Sequence, residues 1–184
     1  LERFEGKVMH SARWDHGYVL DGRKVAVIGT GASAIQFVPE IQPKVGKLVL
    51  FQRTPPWIIP REDHPISERM RWVYRWVPGA QRLARGIIYV LRELLVLGFM
   101  HPWLLELAQR VALRHLERSV PDPVLRAKLT PSYTMGCKRV LISNDYLISL
   151  MRPNVEVVTE PIREVRERSI VTADGAEHAV DALI

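Results

Sequence analysis

A buried strand that runs straight into a glycine turn is the feature that most constrains this sequence. Residues 24–28 read Lys-Val-Ala-Val-Ile, an apolar run typical of a central parallel strand buried on both faces. After the turn at residues 29–34 a helix is predicted, with its apolar side chains on one face at Ile35, Val38 and Ile41. Pro39 is expected to kink or shorten that helix. A second apolar run at residues 47–51 completes a βαβ unit of about 30 residues.

The turn has the spacing that brings backbone N–H groups to a pyrophosphate. It reads Gly29-Thr30-Gly31-Ala32-Ser33-Ala34, where Gly29 permits the tight turn and Gly31 lets a phosphate approach the backbone. Ala34 keeps the helix close to the strand. The pattern is GxGxxA, with the expected strand before it and helix after it. We predict that residues 29–33 bind a dinucleotide, and a purely structural turn is the alternative.

The end of the second strand indicates which dinucleotide binds. An NAD site usually has Asp or Glu there, to hydrogen-bond the ribose 2′-hydroxyl. This chain has Gln52-Arg53-Thr54 instead, and a guanidinium can hold a 2′-phosphate with two parallel hydrogen bonds. Thr54 adds a hydroxyl donor. The sequence therefore predicts NADPH rather than NADH, although Arg53 as a solvated residue at a strand end is the alternative.

The remaining pattern predicts an α/β, Rossmann-like dinucleotide-binding domain with a helical insertion. We assign residues 21–65 and 129–184 to the NADP-binding domain and residues 66–128 to the insertion. The insertion is read as three helices, divided by Pro78-Gly79 and His101-Pro102 and ending before Pro121-Asp122-Pro123. Residues 1–20 look irregular and are read as a linker segment.

The pattern after the insertion predicts further strands and one helix. Ser143 is expected to cap a helix that runs to Met151, and residues 155–158 are read as a strand. Residues 169–173 are expected to pair with the last strand around a turn at Asp174-Gly175. That last strand, residues 179–184, stops while still apolar, so we expect the chain to be a piece of a longer protein.

The insertion is also basic and aromatic. It holds eleven Lys or Arg and five Asp or Glu, a difference of +6 that equals the formal charge of the whole chain. We favour a helical cap that packs on the α/β core and lines a substrate cavity, and an anionic membrane surface is the alternative. The charges scatter along helices without a nucleic-acid-binding motif, so no nucleic-acid partner is expected. No metal site is predicted. The single cysteine, Cys137, excludes an internal disulfide and favours a cytoplasmic location, with membrane association left open.

A motif near the start of the chain carries a family resemblance. Phe4-x-Gly6-x-x-x-His10-x-x-x-Trp14-Asp15 resembles the fingerprint of type I Baeyer–Villiger monooxygenases, which are class B flavin-dependent monooxygenases. The related N- and S-oxygenating flavin monooxygenases usually end this pattern with another aromatic residue, without the Pro or Asp. His10 is given no acid–base role, and a buried, hydrogen-bonded linker residue is the plain interpretation.

The resemblance extends through Phe51 to Trp57 and resumes at Gly136-Cys137-Lys138-Arg139. It implies that Arg53, Thr54 and Lys138 hold the 2′-phosphate of NADPH. It also implies that Arg139 is the active-site arginine, stabilising a negatively charged flavin peroxide; a permanently protonated guanidinium suits that task. No role is assigned to Cys137.

The same resemblance implies a reaction and its partners. FAD would be held mainly by a flavin domain of the same polypeptide, and the substrate would be a small hydrophobic ketone, converted to an ester or lactone. The chain alone is expected to bind NADPH without oxygenating anything. N- or S-oxygenation by the same scaffold stays open, as does a basic helical module that binds a membrane surface. A disulfide-reductase domain is disfavoured by the lone cysteine and the fingerprint.

Overall fold

The centre of the protein is a parallel five-stranded sheet. The structure is a computed structural model that describes residues 3–61, 63, 65–100 and 102–184. The strand order is β1-β10-β2-β3-β6, and every neighbouring pair is parallel. The strands are β1 Lys7–Val8, β2 Lys24–Ile28, β3 Lys47–Phe51, β4 Ile58–Ile59, β5 Leu141–Ile142, β6 Val155–Val158, β7 Ile162–Val165, β8 Ser169–Thr172, β9 Glu177–Ala179 and β10 Ala182–Leu183; the helices are α1 Ala34–Ile41, α2 Glu68–Trp76, α3 Ala80–Met100, α4 Pro102–Ser119, α5 Pro123–Leu129 and α6 Tyr146–Ser149.

The parallel sheet is buried on both faces, as its apolar strands predict. On one face, Val25 and Val27 of β2 pack in a cluster with residues of α1, α4 and α6. On the other face, Ala26 and Val49 pack against β8 and the residues before β10. The antiparallel sheet β7-β8-β9 covers that second face. Helices, parallel sheet and antiparallel sheet therefore form three layers around two apolar interiors, and the predicted α/β, Rossmann-like fold is confirmed.

Helix α1 has the predicted apolar face and is short. Ile35, Val38 and Ile41 are buried, and the helix ends after eight residues with Pro39 inside it. Pro39 has no N–H to donate to the preceding turn, which weakens the helix there.

Four details of the predicted secondary structure are wrong. Residues 7–8, expected to be irregular, form edge strand β1 beside β10, because Lys7 N–H donates to the carbonyl oxygen of Asp181. The helix predicted from Ser143 to Met151 covers only α6, although the Ser143 hydroxyl does accept hydrogen bonds from the N–H groups of Asp145 and Tyr146. The other two errors concern the last strand and the insertion.

Strand β8 does turn back around Gly175, but its antiparallel partner is β9. The last strand, β10, enters the parallel sheet between β1 and β2 instead. Its residues are buried and apolar, so the centre of the sheet buries them on both faces. An edge position beside β8 would bury only one face.

Within residues 66–129, the part that the structure describes forms four helices rather than the predicted three. The missed helix, α5, starts at Pro123, a residue that suits the first helical position, and the Asp122 carboxylate accepts from the N–H groups of Val124 and Leu125. Helix α4 packs into the interior through Ala112 and Leu116, and Val120, directly after the helix, is also buried. The predicted break at His101-Pro102 falls partly on His101, which lies outside the described residues; α4 begins at Pro102.

Candidate functional site

The turn between β2 and α1 has the backbone geometry that its glycines predict. Gly29 has a φ of 102°, a conformation that side chains disfavour. Its N–H donates to the carbonyl oxygen of Phe51 at 2.9 Å, which fixes the turn against the end of β3. Gly31 is exposed, and a Cβ built on it would meet no atom within 4 Å. The backbone at Gly31 therefore faces open space.

The start of α1 presents a group of backbone donors. Within the part of the chain that the structure describes, no acceptor serves the N–H groups of residues 30–34. Ser33 occupies the cap position without a side-chain hydrogen bond, and the first turn carries no acidic residue. Since the helix dipole adds partial positive charge at this end, the turn has the donors and the field that an anion requires.

Thr54 lies against the glycine turn. Its carbonyl oxygen is 3.5 Å from the Thr30 hydroxyl, a long hydrogen bond. Gln52 anchors the same segment: it is buried, its N–H donates to Val158, and its side-chain amide donates to the Lys128 carbonyl oxygen at 2.8 Å. Arg53, between Gln52 and Thr54, is exposed. The backbone on both sides of Arg53 is therefore held while its guanidinium is open to solvent.

Strands β4 and β5 join the segment that follows Arg53 and Thr54 to a distant part of the chain. They pair in parallel, with Ile58 opposite Leu141, so the residues that precede both strands approach the same end of this two-stranded sheet. Arg53 and Thr54 precede β4, and Lys138 and Arg139 precede β5. Trp57 reinforces the pairing, since its carbonyl oxygen accepts from the Leu141 N–H and its indole N–H donates to the Tyr133 carbonyl oxygen at 2.8 Å.

The basic side chains of this region are exposed and have no carboxylate partner within the described residues. This holds for Arg53, Lys138 and Arg139. Three positive charges thus lie on the segments that precede β4 and β5. Cys137, beside them, is also exposed.

Close packing explains why the N-terminal fingerprint has a glycine at position 6. A Cβ on Gly6 would lie 2.5 Å from the carbonyl oxygen of Asp181 and 2.6 Å from the Phe4 ring. Phe4 is itself buried, only 8% exposed, in the cluster beneath the antiparallel sheet. Gly6 therefore allows the chain to approach the start of β10 closely.

Trp14 and Asp15 hold the second half of the fingerprint in place through contacts with α1, Lys7 and Gly17. The Trp14 ring packs on Phe37 of α1, with ring centroids 5.3 Å apart. Asp15 accepts a hydrogen bond from Lys7 Nζ at 2.5 Å and another from the Gly17 N–H, and these bonds hold the pKa of its carboxyl below the usual value.

His10 is exposed, so the buried position expected for it is wrong. Its Nδ1 accepts from the Ala12 N–H, and its carbonyl oxygen accepts from the Arg13 N–H. These bonds close a tight turn, which needs no burial. Because β1 is parallel to β2, His10 follows its strand at the same edge of the sheet as the glycine turn.

The structure thus brings Thr54 to the glycine turn and pairs the strand after Thr54 with β5, and it packs Trp14 of the fingerprint against α1. Sequence reasoning assigned no role to Trp57 or Tyr133, which join the two basic segments. No spacing rule could have paired them, since they are 76 residues apart.

The parallel sheet and the glycine turn at its carboxyl edge define a Rossmann-like α/β domain. A family model described as flavin-binding monooxygenase-like matches residues 1–184, and the chain belongs to this family.

Two curated relatives, both named Baeyer-Villiger monooxygenase, are similar over the whole chain. The protein from Pseudomonas aeruginosa is 55% identical, and the one from Streptomyces coelicolor is 51% identical. The chain covers 35% and 36% of their lengths, so it spans about a third of these relatives. The resemblance drawn from the fingerprint is confirmed.

Solved structures agree with this family. Oxidized steroid monooxygenase bound to NADP matches with a TM-score of 0.80 at 28% identity, covering 100% of this chain and 42% of that one. An open structure of cyclohexanone monooxygenase matches with a TM-score of 0.78 at 27% identity, covering 100% of this chain and 43% of that one.

Proposed function

We propose that this chain is the NADPH-binding domain of an FAD-dependent Baeyer–Villiger monooxygenase. Residues 21–65 and 129–184 form the NADP-binding unit, residues 66–128 are an insertion within it, and residues 1–20 link it to a flavin domain. The observation that carries the proposal is the group of N–H donors at residues 30–34, which have no acceptor within the described residues and lie beside a segment that bears Arg53. Donors without acceptors and cations without carboxylates are what a phosphorylated dinucleotide needs.

The glycine turn holds the pyrophosphate in this proposal. Gly29 sets the turn, Thr30, Gly31, Ala32 and Ser33 supply backbone donors, and the open space at Gly31 admits the phosphate oxygens. The field of α1 favours the negative charge. The fit is chemical as well as geometric, because no acid in the first turn of α1 repels an anion.

The 2′-phosphate is recognised by Arg53, Thr54 and Lys138. Arg53 supplies a planar pair of donors, Thr54 a hydroxyl and Lys138 a point charge. The pairing of β4 with β5 supports this set, since it draws the two segments together. NADH lacks the 2′-phosphate and gains nothing from these groups.

Arg139 is the proposed catalytic residue. NADPH supplies a hydride and FAD supplies the ring that accepts it and activates oxygen. Arg139 carries a permanent positive charge, and its exposure in this chain leaves it open to a flavin held by another domain. The solved relatives include one described as a complex with FAD and NADP, which supports both cofactors here.

The substrate class follows from the relatives' names alone and is proposed as a small hydrophobic ketone. The test is a panel of ketones and thioethers with the complete natural polypeptide, measuring products and NADPH consumption. Esters or lactones from ketones support Baeyer–Villiger chemistry. Sulfoxides with no ester product move the protein to the N- and S-oxygenating group.

The binding claim is tested without catalysis, by titrating the 184-residue chain with NADPH and NADH. We expect saturable binding with a clear preference for NADPH, and no oxygenation by the chain alone. Equal affinity for both dinucleotides overturns the assignment of Arg53 and Lys138. We place the protein in the cytoplasm, in keeping with its single cysteine.

The helical insertion is proposed to cover the α/β core and line the substrate cavity. One observation favours an anionic membrane surface as a second candidate partner of the insertion. Leu83, Ile87 and Leu91 follow one face of α3, and all three are more than half exposed, with Arg82 and Arg85 also exposed. Among the described residues, no helix has the length and apolar character needed to span a membrane.

Co-sedimentation with anionic vesicles separates the two contacts. Binding at low salt that Leu83→Ser and Ile87→Ser reduce would support the membrane contact. Absence of binding at low salt would remove it and leave the insertion as a cover for the core.

A further inference from the structure

Tyr133 is held firmly in the segment that precedes β5. Its carbonyl oxygen accepts the indole N–H of Trp57 at 2.8 Å, and the Trp57 ring meets its ring edge-on, with centroids 6.5 Å apart. Trp57 is only 4% exposed. The backbone and the ring of Tyr133 are therefore both fixed by a buried neighbour.

A small apolar cluster supports the same ring. Trp57, Ala112 of α4 and Met135 are buried together, and Tyr133 and Val140 pack against them. Partial burial raises the pKa of the Tyr133 hydroxyl above its ordinary value of 10.0, so the ring stays neutral across the working pH range. Helix α4 thus contributes, through Ala112, to the apolar cluster against which the Tyr133 ring packs.

Lys138 lies over that ring. Its Nζ is 4.8 Å from the centroid of Tyr133, within the range of a cation–π contact. The side chain is otherwise exposed, and within the described residues it has no carboxylate partner. A lysine has four rotatable bonds, so an exposed ammonium without a support samples many positions.

We propose that Tyr133 is a positioning residue that holds the ammonium group of Lys138 where the 2′-phosphate is recognised. The inference rests on the proposed NADPH site and goes beyond it, because it assigns the selectivity for the phosphate partly to a residue that does not touch the dinucleotide. It also gives the insertion a part in cofactor choice, through the packing of α4 behind Trp57 and Met135.

The test measures dissociation constants of NADP⁺ and NAD⁺ by calorimetric titration of the complete natural polypeptide. Tyr133→Leu removes the ring and keeps an apolar side chain in the cluster. It is expected to weaken NADP⁺ binding about two- to fivefold, the loss of one cation–π contact, with NAD⁺ binding unchanged. Tyr133→Phe keeps the ring and is expected to bind both dinucleotides like the wild type.

Two further variants make the result specific. Tyr89→Leu removes an exposed tyrosine of α3 and is the matched control, with no effect expected. Tyr133→Met, with a flexible apolar side chain that refills the cluster, has the same expected result as Tyr133→Leu and replaces it if that variant does not fold. Thermal unfolding of each variant is measured alongside.

Combining Tyr133→Leu with Lys138→Ala tests whether Tyr133 acts through Lys138 or independently of it. If Tyr133 acts through Lys138, adding Tyr133→Leu to Lys138→Ala costs no further NADP⁺ affinity. Additive losses, or equal losses for NADP⁺ and NAD⁺, overturn the positioning role and leave the NADPH site standing. Wild-type NADP⁺ affinity in Lys138→Ala overturns the role of Lys138 and, with it, that of Tyr133.

Discussion

The Thr30 hydroxyl lies 3.5 Å from the carbonyl oxygen of Thr54, and this contact joins the glycine turn to the segment after β3. The two residues follow neighbouring parallel strands, with Ile28 opposite Phe51. Because parallel strands end at the same edge of the sheet, the turn and the Arg53 segment are neighbours despite the helix between them.

Arg53→Ala should weaken NADPH binding about tenfold to a hundredfold, the usual cost of losing hydrogen bonds to a charged group. NADH binding should change little, since NADH has no 2′-phosphate. The dissociation constants of both dinucleotides are measured by titration. Arg163→Ala removes an exposed arginine of β7 and is the control. Equal losses for NADPH and NADH would contradict the role of Arg53.

Gly31→Ala should block dinucleotide binding without destabilising the fold. A Cβ at Gly31 meets no atom of the protein within 4 Å, and its φ is not positive. The methyl group would instead occupy the space proposed for the pyrophosphate. We expect an unchanged unfolding temperature and at least about a tenfold loss of affinity, the effect of roughly 1.4 kcal/mol.

The matched variant Gly29→Ala should behave differently. At a φ of 102°, a side chain is strained, and we expect a loss of about 1–3 kcal/mol of unfolding free energy. Urea unfolding of both variants checks the contrast. A stable Gly31→Ala that binds NADPH normally would show that the turn is only structural.

Gly6→Ala should destabilise the protein by about 1–3 kcal/mol, the range for forcing an extra carbon into a packed site. The added Cβ would press on the Asp181 carbonyl oxygen and the Phe4 ring. Gly86→Ala is the control, because Gly86 lies in α3 with open space around it, and alanine there should be neutral or stabilising. Equal stability of the two variants in urea would refute the close approach at Gly6.

The contact between Lys7 and Asp15 should make stability depend on pH. The pKa of Asp15 is lowered in the folded protein, first by the hydrogen bond from Lys7, so the unfolded chain binds the proton more tightly. Its contribution is therefore present above pH 3.8, the ordinary value, and is lost as the pH falls through the lowered pKa. Asp15→Asn should be less stable than the wild type at pH 7, and the difference should shrink in acid. A constant difference across urea unfolding curves at several pH values would contradict this.

Local sequence patterns were enough to predict the centre of the fold. The apolar runs of β2 and β3 require burial on both faces, and the turn at Gly29 follows from its glycine spacing. Strand β10 was misplaced because β8 is nearer along the chain, whereas the parallel sheet that buries β10 on both faces is assembled from distant strands. Helix α5 was missed because Pro121 and Pro123 resemble a break, whereas Asp122 and Pro123 together cap a new start.

The sequence alone determined the class of fold, the glycine turn and the family, since each depends on residues close together along the chain. The tertiary structure decided what depends on distant residues. It pairs the strand that follows Arg53 with β5, through Ile58 and Leu141. It also lays Lys138 on the ring of Tyr133, and it fits Gly6 against Asp181. Contacts between residues far apart in the chain form only when the whole core packs, so no local pattern encodes them.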